Sequence, residues 1–290
     1  MASVAQTGRL RERRLRVHAT RDRAFLRTFL ERDRLLAAYA ICDLDDREFG
    51  RTRWGVAMDG GDSIAVALEY NGVAPQPLFV MGDADGVAAV LREMIRPRAA
   101  YLAGLPEHLE RAGSLYRIEP GPPMVRMWVD RASFMPAPGS VQRLLPADIG
   151  DLNRLYNLGF TSWLPSEAIS HGVYYGIRSG GRLIAAAGTH VVSAEARLAV
   201  VGNVMTHREH RSRGFAKVTT SAVTQELLRS ADQVVLNVRA DNPPALAAYR
   251  ALGYREHLRF EERLIHRRGM LWDSILSPLR RLLPPSRKEV

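Results

Sequence analysis

Apolar residues recur along this chain in two spacings, and the two spacings alternate in a regular order. Short apolar runs bounded by Gly, Asn and Asp are typical of strands, whereas apolar positions three and four residues apart indicate helices. Over residues 140–265 they predict the order β–α–α–β–β–β–α–β–α–β. The expected strands are 141–144, 173–178, 182–192, 196–206, 234–238 and 254–265, and the expected helices are 147–158, 165–169, 214–230 and 243–252.

Part of this order recurs earlier, between residues 50 and 130. The first apolar runs there are separated by Asp59-Gly-Gly-Asp62 and Asn71-Gly72, which favour tight turns because such residues tolerate positive φ. Asp83 is expected to cap the helix that follows. The expected strands are 54–58, 63–70, 77–81, 99–103 and 124–129, and the expected helices are 25–41, 84–95 and 106–112. The fold class is therefore α+β, with a mixed, mostly antiparallel sheet flanked by helices.

Length and composition allow two domains of ordinary size. The chain has 290 residues, of which 46% are hydrophobic, so it can bury a sizeable core. The Pro- and Gly-containing segment Met135–Ser140 is the best linker. We expect a basic arm or short solvated helix at 1–24, a first domain at 25–135, a second domain at 136–265 and a basic amphipathic tail at 266–290.

The net charge of +10 lies almost entirely at the two ends. These ends could contact RNA, DNA or a membrane surface, but no aromatic platform or recognition motif accompanies them, so nucleic-acid binding is not expected. Cys42 is the only cysteine, which excludes an intramolecular disulfide and a cysteine-based metal site. No apolar run approaches the ~20 residues of a membrane span, so we expect a cytoplasmic protein without a transmembrane segment.

Two motifs in the second domain carry the candidate chemistry. The first, Arg211-x-x-Gly214-x-Ala216, stands where a strand runs into a helix. A glycine lets a ligand approach the backbone, and a helix N-terminus presents free N–H groups that suit a pyrophosphate. The second is Asn242-x-x-Ala-x-x-x-Tyr249-x-x-x-Gly-Tyr254. Together the motifs resemble those of the GNAT superfamily of N-acetyltransferases, which implies the GNAT fold for residues 140–265.

The resemblance implies transfer of an acetyl group from acetyl-CoA, as co-substrate, to a primary amine by direct attack. The end of the strand before the loop would splay from its neighbour around Leu236 and bind the cofactor through its backbone. Asn242 would cap its helix and contact the cofactor, and Tyr249, with an ordinary phenol pKa near 10, would protonate the leaving thiolate. The implied cofactor-binding residues are Val204, Met205, Thr206, Arg211, Ser212, Arg213, Gly214, Phe215, Ala216, Lys217 and Asn242.

The first domain resembles a GNAT unit that has lost its cofactor site. Its strand-to-helix junction reads Met81-Gly-Asp-Ala-Asp85, and two acidic residues would repel a pyrophosphate. An unrelated α+β module is the alternative for this domain. The second domain is accordingly expected to bind CoA by itself.

Several points stay open at this stage. The general base is not identified, and His190, His207, Glu167 and Asn203 are the candidates. No metal site is expected. The acceptor is a small-molecule or peptide amine of unknown identity, and the protein is a monomer or a homodimer. A non-catalytic CoA-binding sensor is the main alternative function.

Overall fold

The structure, a computed structural model, describes residues 15–157 and 164–269. The described residues fall into two halves that repeat one order of elements. The N-terminal half consists of β1 (Leu15–Ala19), α1 (Arg23–Leu30), α2 (Ala38–Cys42), α3 (Asp46–Phe49), β2 (Thr52–Asp59), β3 (Asp62–Tyr70), β4 (Gln76–Gly82), α4 (Ala84–Glu93), β5 (Ala99–Gly104), α5 (Pro106–Ala112), β6 (Tyr116–Ile118) and β7 (Met124–Asp130).

The C-terminal half has the element order that the sequence predicts. It consists of β8 (Gln142–Arg143), α6 (Ile149–Tyr156), α7 (Ser166–His171), β9 (Tyr175–Ser179), β10 (Arg182–Ser193), β11 (Leu198–Thr206), α8 (Phe215–Leu227), β12 (Gln233–Arg239), α9 (Pro243–Arg250) and β13 (Arg255–Arg267). Gly180 and Gly181 adopt positive φ between β9 and β10, as a tight hairpin turn requires. The predicted α+β class is confirmed.

All thirteen strands of the described residues belong to one sheet. Its order is β1-β2-β3-β4-β5-β13-β7-β12-β11-β10-β9-β8, and β6 pairs with β13 beside this path. Most neighbours are antiparallel, whereas β4–β5 and β11–β12 are parallel. Each parallel pair is joined by one helix, α4 or α8, as parallel neighbours require.

The two halves exchange their last strands. Strand β7, which ends the N-terminal half, lies between β12 and the first part of β13. The second part of β13, residues 261–266, lies beside β5, and its end pairs with β6. The hydrogen bonds of β7 and β13 therefore cross the linker position expected from composition, and each half completes its sheet with a strand from the other.

The two faces of the C-terminal sheet pack against different elements. Leu198 and Val200 of β11 belong to a core cluster with the helices of the N-terminal half. Ala199 and Val201 alternate with them and pack against α8 and α9. Since successive strand residues point to opposite faces, one face of β11 meets the N-terminal half and the other meets the helices of its own half.

Three local features differ from the sequence-based expectations. Residues 15–19 form β1 on β2, where an exposed arm or helix was expected, because strand pairing is a long-range contact without a local signal. The expected helix 25–41 is broken after Leu30, and the Asp33 carboxylate accepts a hydrogen bond from the backbone N–H of Leu36 in the turn. Strand β6 is additional. Within the described residues, no helix is long and apolar enough to span a membrane, and the tail from residue 270 onward lies outside them.

Candidate functional site

Strands β11 and β12 separate at the position expected from the sequence. Their parallel pairing ends at Val201 and Leu236, although β11 continues to Thr206 and β12 to Arg239. In the described residues, the end of β11 therefore has a strand partner only on its β10 side. This opening exposes backbone donors and acceptors between two strands of the sheet.

The loop after β11 turns its backbone in a way that suits an anion. Ser212 has a φ of 61° and Gly214 has a φ of 78°, so the chain enters the left-handed region twice within three residues. Such alternation directs neighbouring N–H groups into a concave anion-binding nest. Helix α8 begins at Phe215, and its first helical hydrogen bond runs from Val218 to the carbonyl of Gly214. The N–H groups of the first turn of α8 consequently point into the same region.

The surroundings of this loop leave room for a ligand and add positive charge. No heavy atom outside the immediate chain neighbours lies within 4 Å of a Cβ built on Gly214. Arg211 and Arg213 are exposed, and Lys217 is half-buried in the first turn of α8. The guanidinium of Arg211 donates a 3.4 Å hydrogen bond to the carbonyl of Thr206, which ties the loop to the end of β11.

Two buried polar atoms beside the opening have no protein partner among the described residues. They are the hydroxyl oxygen of Thr206, at the end of β11, and the amide oxygen of Asn237, the residue after Leu236, where the pairing of β12 with β11 ends. Buried polar atoms are normally hydrogen-bonded. The amide and hydroxyl groups of a pantetheine chain offer donors for these positions, so the residues of the opening fit acetyl-CoA.

Helix α9 carries the second motif. The side chain of Asn242 accepts a hydrogen bond from the backbone N–H of Ala245, so Asn242 is the N-cap that the sequence predicts. Tyr249 is buried on the sheet-facing side of α9, with its ring centroid 6.1 Å from that of Tyr254. Burial raises the pKa of Tyr249 to about 12. The ordinary value expected from the sequence is wrong, because the phenolate would lose its hydration in this core.

Bulges in β10 and β11 place two of the four base candidates side by side. His190 has no partner in the register between Thr189 and Val191, and the backbone of Asn203 adopts a φ of 52°. Bulges re-aim side chains next to functional sites. Here they bring Nε2 of His190 within 3.0 Å of the amide oxygen of Asn203.

The structure separates the other two base candidates from this pair. Glu167 is exposed on α7, where its carboxylate accepts a hydrogen bond from the hydroxyl of Ser166. His207 accepts a weak hydrogen bond from the backbone N–H of Glu209 in the turn after β11. The ligand atoms of His207, Glu209 and His210 lie within 4.8 Å of one another. Because Glu209 extends into solvent, we assign no metal to this turn.

The corresponding junction in the N-terminal half differs in the way the sequence suggests. The carboxylate of Asp83 accepts a hydrogen bond from the backbone N–H of Gly86, so the N-terminus of α4 is already occupied by an anion. A Cβ built on Gly82 would lie 2.2 Å from the carbonyl oxygen of Ile64, so this junction is closed by backbone. The loss of a cofactor site in this half stays a prediction, which these contacts favour.

A mixed sheet that opens beside the N-terminus of a crossing helix is the arrangement of the GNAT fold. Residues 174–264 match the family described as FR47-like protein. The structure is similar to a GCN5-related N-acetyltransferase from Sphaerobacter thermophilus, with a TM-score of 0.62, 17% identity, and 90% of this chain covering 98% of that one.

Two further solved structures give the same result. A tandem GNAT protein from the clavulanic acid biosynthesis pathway has a TM-score of 0.51 and 14% identity, with 88% of this chain covering 99% of that one. A GCN5-related N-acetyltransferase from Kribbella flavida has a TM-score of 0.54 and 17% identity, with 72% of this chain covering 89% of that one. No curated protein matches the chain in sequence. The resemblance stated above is confirmed: the C-terminal half matches the FR47-like family model over residues 174–264 and has the GNAT fold, and the N-terminal half repeats that fold.

Proposed function

We propose that this protein is an acyl-CoA-dependent N-acyltransferase that transfers an acetyl group from acetyl-CoA to a primary amine. The observation that carries the proposal is the opening between β11 and β12, which leads directly to the nest at Ser212–Gly214 and the N-terminus of α8. The strand edge suits the thioester and its pantetheine chain, and the anion nest together with the helix N-terminus suits the pyrophosphate. Acetyl-CoA supplies the activated thioester as a substrate.

The residues of the opening have separate roles in this proposal. The backbone of Val204, Met205 and Thr206 binds the pantetheine chain and polarises the thioester carbonyl, because donors held in place lower the cost of charge development. The N–H groups of residues 213–217 bind the pyrophosphate, with Arg211 and Lys217 adding positive charge. Asn242 positions α9 and lies at the edge of the cofactor site.

Tyr249 is proposed to assist departure of the thiolate. A hydroxyl with a pKa of about 12 stays protonated at neutral pH and is a weaker acid than a thiol, whose pKa is about 8.5. It therefore stabilises the departing sulfur by donating a hydrogen bond, and complete proton transfer is favourable only if bound cofactor lowers the phenol pKa.

The test is a screen of the full chain with acetyl-CoA against amines of five classes: an amino acid, a polyamine, an aminoglycoside antibiotic, a peptide with a free N-terminus and a lysine side chain. Release of free thiol that depends on the amine, together with the mass of the acetylated product, supports the proposal. Stabilisation by CoA without thiol release from any amine would instead favour the non-catalytic sensor.

A further inference from the structure

A hydrogen bond between the two halves of the chain reaches the opening of the candidate site. The hydroxyl of Tyr39, on α2 of the N-terminal half, lies 2.6 Å from Nδ1 of His190 on β10. The other ring nitrogen of His190 lies 3.0 Å from the amide oxygen of Asn203. Both nitrogens of this imidazole are therefore engaged, one by each half.

The direction of each hydrogen bond can be derived from the far end of this network. The carbonyl of Thr189 can only accept, so the hydroxyl of Tyr174, 3.0 Å away, donates to it. The oxygen of Tyr174 then accepts from the amide nitrogen of Asn203, also at 3.0 Å. This fixes the amide so that its oxygen faces His190.

The same reasoning fixes the tautomer of His190. An amide oxygen only accepts, so Nε2 of His190 carries the proton that it donates to Asn203. Nδ1 of the neutral ring then carries a lone pair, and the hydroxyl of Tyr39 donates a hydrogen bond to it. The oxygen of Tyr39 keeps its own lone pairs for another donor.

This pair lies beside the opening between β11 and β12 that the proposed function assigns to the thioester. Asn203 directly precedes Val204, in the part of β11 that no longer pairs with β12. His190 is exposed and Tyr39 is half-buried, so solvent reaches both. Tyr39 packs on the face of β11 that meets the N-terminal half, whereas Tyr249 packs on the opposite face. Tyr39 can therefore reach an amine from one side of the sheet, while Tyr249 reaches the departing thiolate from the other.

We propose that Tyr39 and His190 form the proton-accepting pair of the transfer reaction, so that the N-terminal half supplies a catalytic residue. This inference rests on the proposed function. The neutral amine attacks the thioester carbon, so the C–N bond forms, the C–S bond breaks and CoA leaves as the thiolate. The amine nitrogen becomes positively charged and acidic, and it gives a proton to the oxygen of Tyr39. Tyr39 gives its hydroxyl proton to Nδ1 of His190. The nitrogen loses one positive charge, His190 becomes an imidazolium ion and Tyr39 is neutral before and after.

The electrostatic environment agrees with these roles. Surrounding protein atoms displace water from the ring and lower the pKa of His190, whereas its hydrogen bond to Asn203 raises it, so the ring is neutral before the reaction. Burial raises the pKa of Tyr39, and Arg126 opposes that rise. Tyr39 thus relays a proton without becoming a phenolate. Asn203 acts through His190 and is a positioning residue.

The first experiment tests the tautomer without any substrate. Long-range ¹H–¹⁵N correlation spectra of the full chain at pH 7.5 identify the His190 signals by their loss in the His190→Gln variant. We expect a protonated Nε2 and an unprotonated Nδ1. A ring protonated at Nδ1 would overturn the proposal, because Tyr39 could then not donate to it.

The second experiment uses acetyl-CoA and an amine acetylated in the screen. Tyr39→Phe should lower kcat by on the order of 10²-fold, the usual effect of losing a proton-transfer group, with little change in the KM for acetyl-CoA. Tyr70→Phe is the matched control, because it removes a hydroxyl that donates a 2.7 Å hydrogen bond to Glu48 elsewhere in the N-terminal half. His190→Ala should be equally impaired and should regain part of its activity with added imidazole, which a purely structural role would not allow.

The outcomes separate this inference from the proposed function. If the parent chain acetylates none of the amines, the proposed function fails and the inference fails with it. If the parent is active and Tyr39→Phe retains its kcat, only the proton-accepting pair is refuted. A loss of kcat in Tyr39→Phe and in Tyr70→Phe alike would also refute it, since general destabilisation would then explain the effect.

Discussion

Replacement of Gly214 by Glu should abolish CoA binding while leaving the protein folded. The structure offers an unusually close control, because Gly214 and Gly181 both have a φ of 78° and no heavy atom within 4 Å of an added Cβ. Gly214 lies in the candidate pyrophosphate loop and Gly181 in the hairpin between β9 and β10. The two substitutions therefore impose the same backbone strain and the same added carboxylate at two different places.

The expected magnitudes follow from this symmetry. A non-glycine residue in the left-handed region costs about 1–2 kcal/mol, and about 1 kcal/mol shifts the Tm of a protein of this size by about 2–4 °C. Both variants should thus lose roughly 2–8 °C in Tm. CoA at 100 times its Kd stabilises the parent by about 2.7 kcal/mol. Gly181→Glu should keep this response, and Gly214→Glu should lose it because a carboxylate occupies the pyrophosphate position.

The assay is thermal unfolding of the parent and both variants with and without CoA. Gly214→Ala adds strain without the charge or the length of Glu and should retain part of the CoA response. Undiminished stabilisation of Gly214→Glu would show that the pyrophosphate does not bind at this loop. Loss of the response in Gly181→Glu would show that strain alone, at any site, abolishes binding.

Three further predictions concern other parts of the chain. Tyr249→Phe should leave CoA affinity nearly constant and lower turnover of an identified amine by on the order of 10²-fold; parental turnover in steady-state assays would make Tyr249 a packing residue. Burial raises the pKa of Asp43 from 3.8 to about 8, so the folded state binds the extra proton between these values and stability falls as pH rises through this window. In urea denaturation, the free energy of unfolding of Asp43→Asn should rise relative to that of the parent by up to about 1.4 kcal/mol per pH unit in this window. The exposed control Asp62→Asn should show no such trend. A difference between Asp43→Asn and the parent that does not change with pH would contradict the assignment. A truncated chain of residues 136–290 lacks β7 between β12 and β13, so it should fail to fold alone and should copurify with co-expressed residues 1–135; cooperative unfolding and CoA binding by the isolated piece would refute this.

The sequence was most informative where the signal is local. The cap at Asn242 and the cap at Asp83 each depend on residue types within a few positions, and the structure has both. The opening of β11 from β12 was also predictable, because it follows from the resemblance carried by the two motifs.

Long-range pairing was not predictable in the same way. The runs at 124–129 and 254–265 read correctly as strands, yet nothing in them specifies that each completes the sheet of the other half. This is why the expectation that the second domain binds CoA by itself is reversed in the prediction above. Tyr39 illustrates the same limit, since it lies within the expected helix 25–41 without any local signal of a function, and only the fold brings its hydroxyl to His190.

The exchange of β7 and β13 also sets the order in which this protein can mature during synthesis. Strand β5 is made early, but the strand that covers its edge begins about 150 residues later. At roughly 5–20 residues per second, the ribosome leaves that edge open for about 8–30 s. An open edge of this kind is a template for wrong pairing. The N-terminal half is thus a natural client for a chaperone until the C-terminal strand arrives, and neither half reaches its final state before the other.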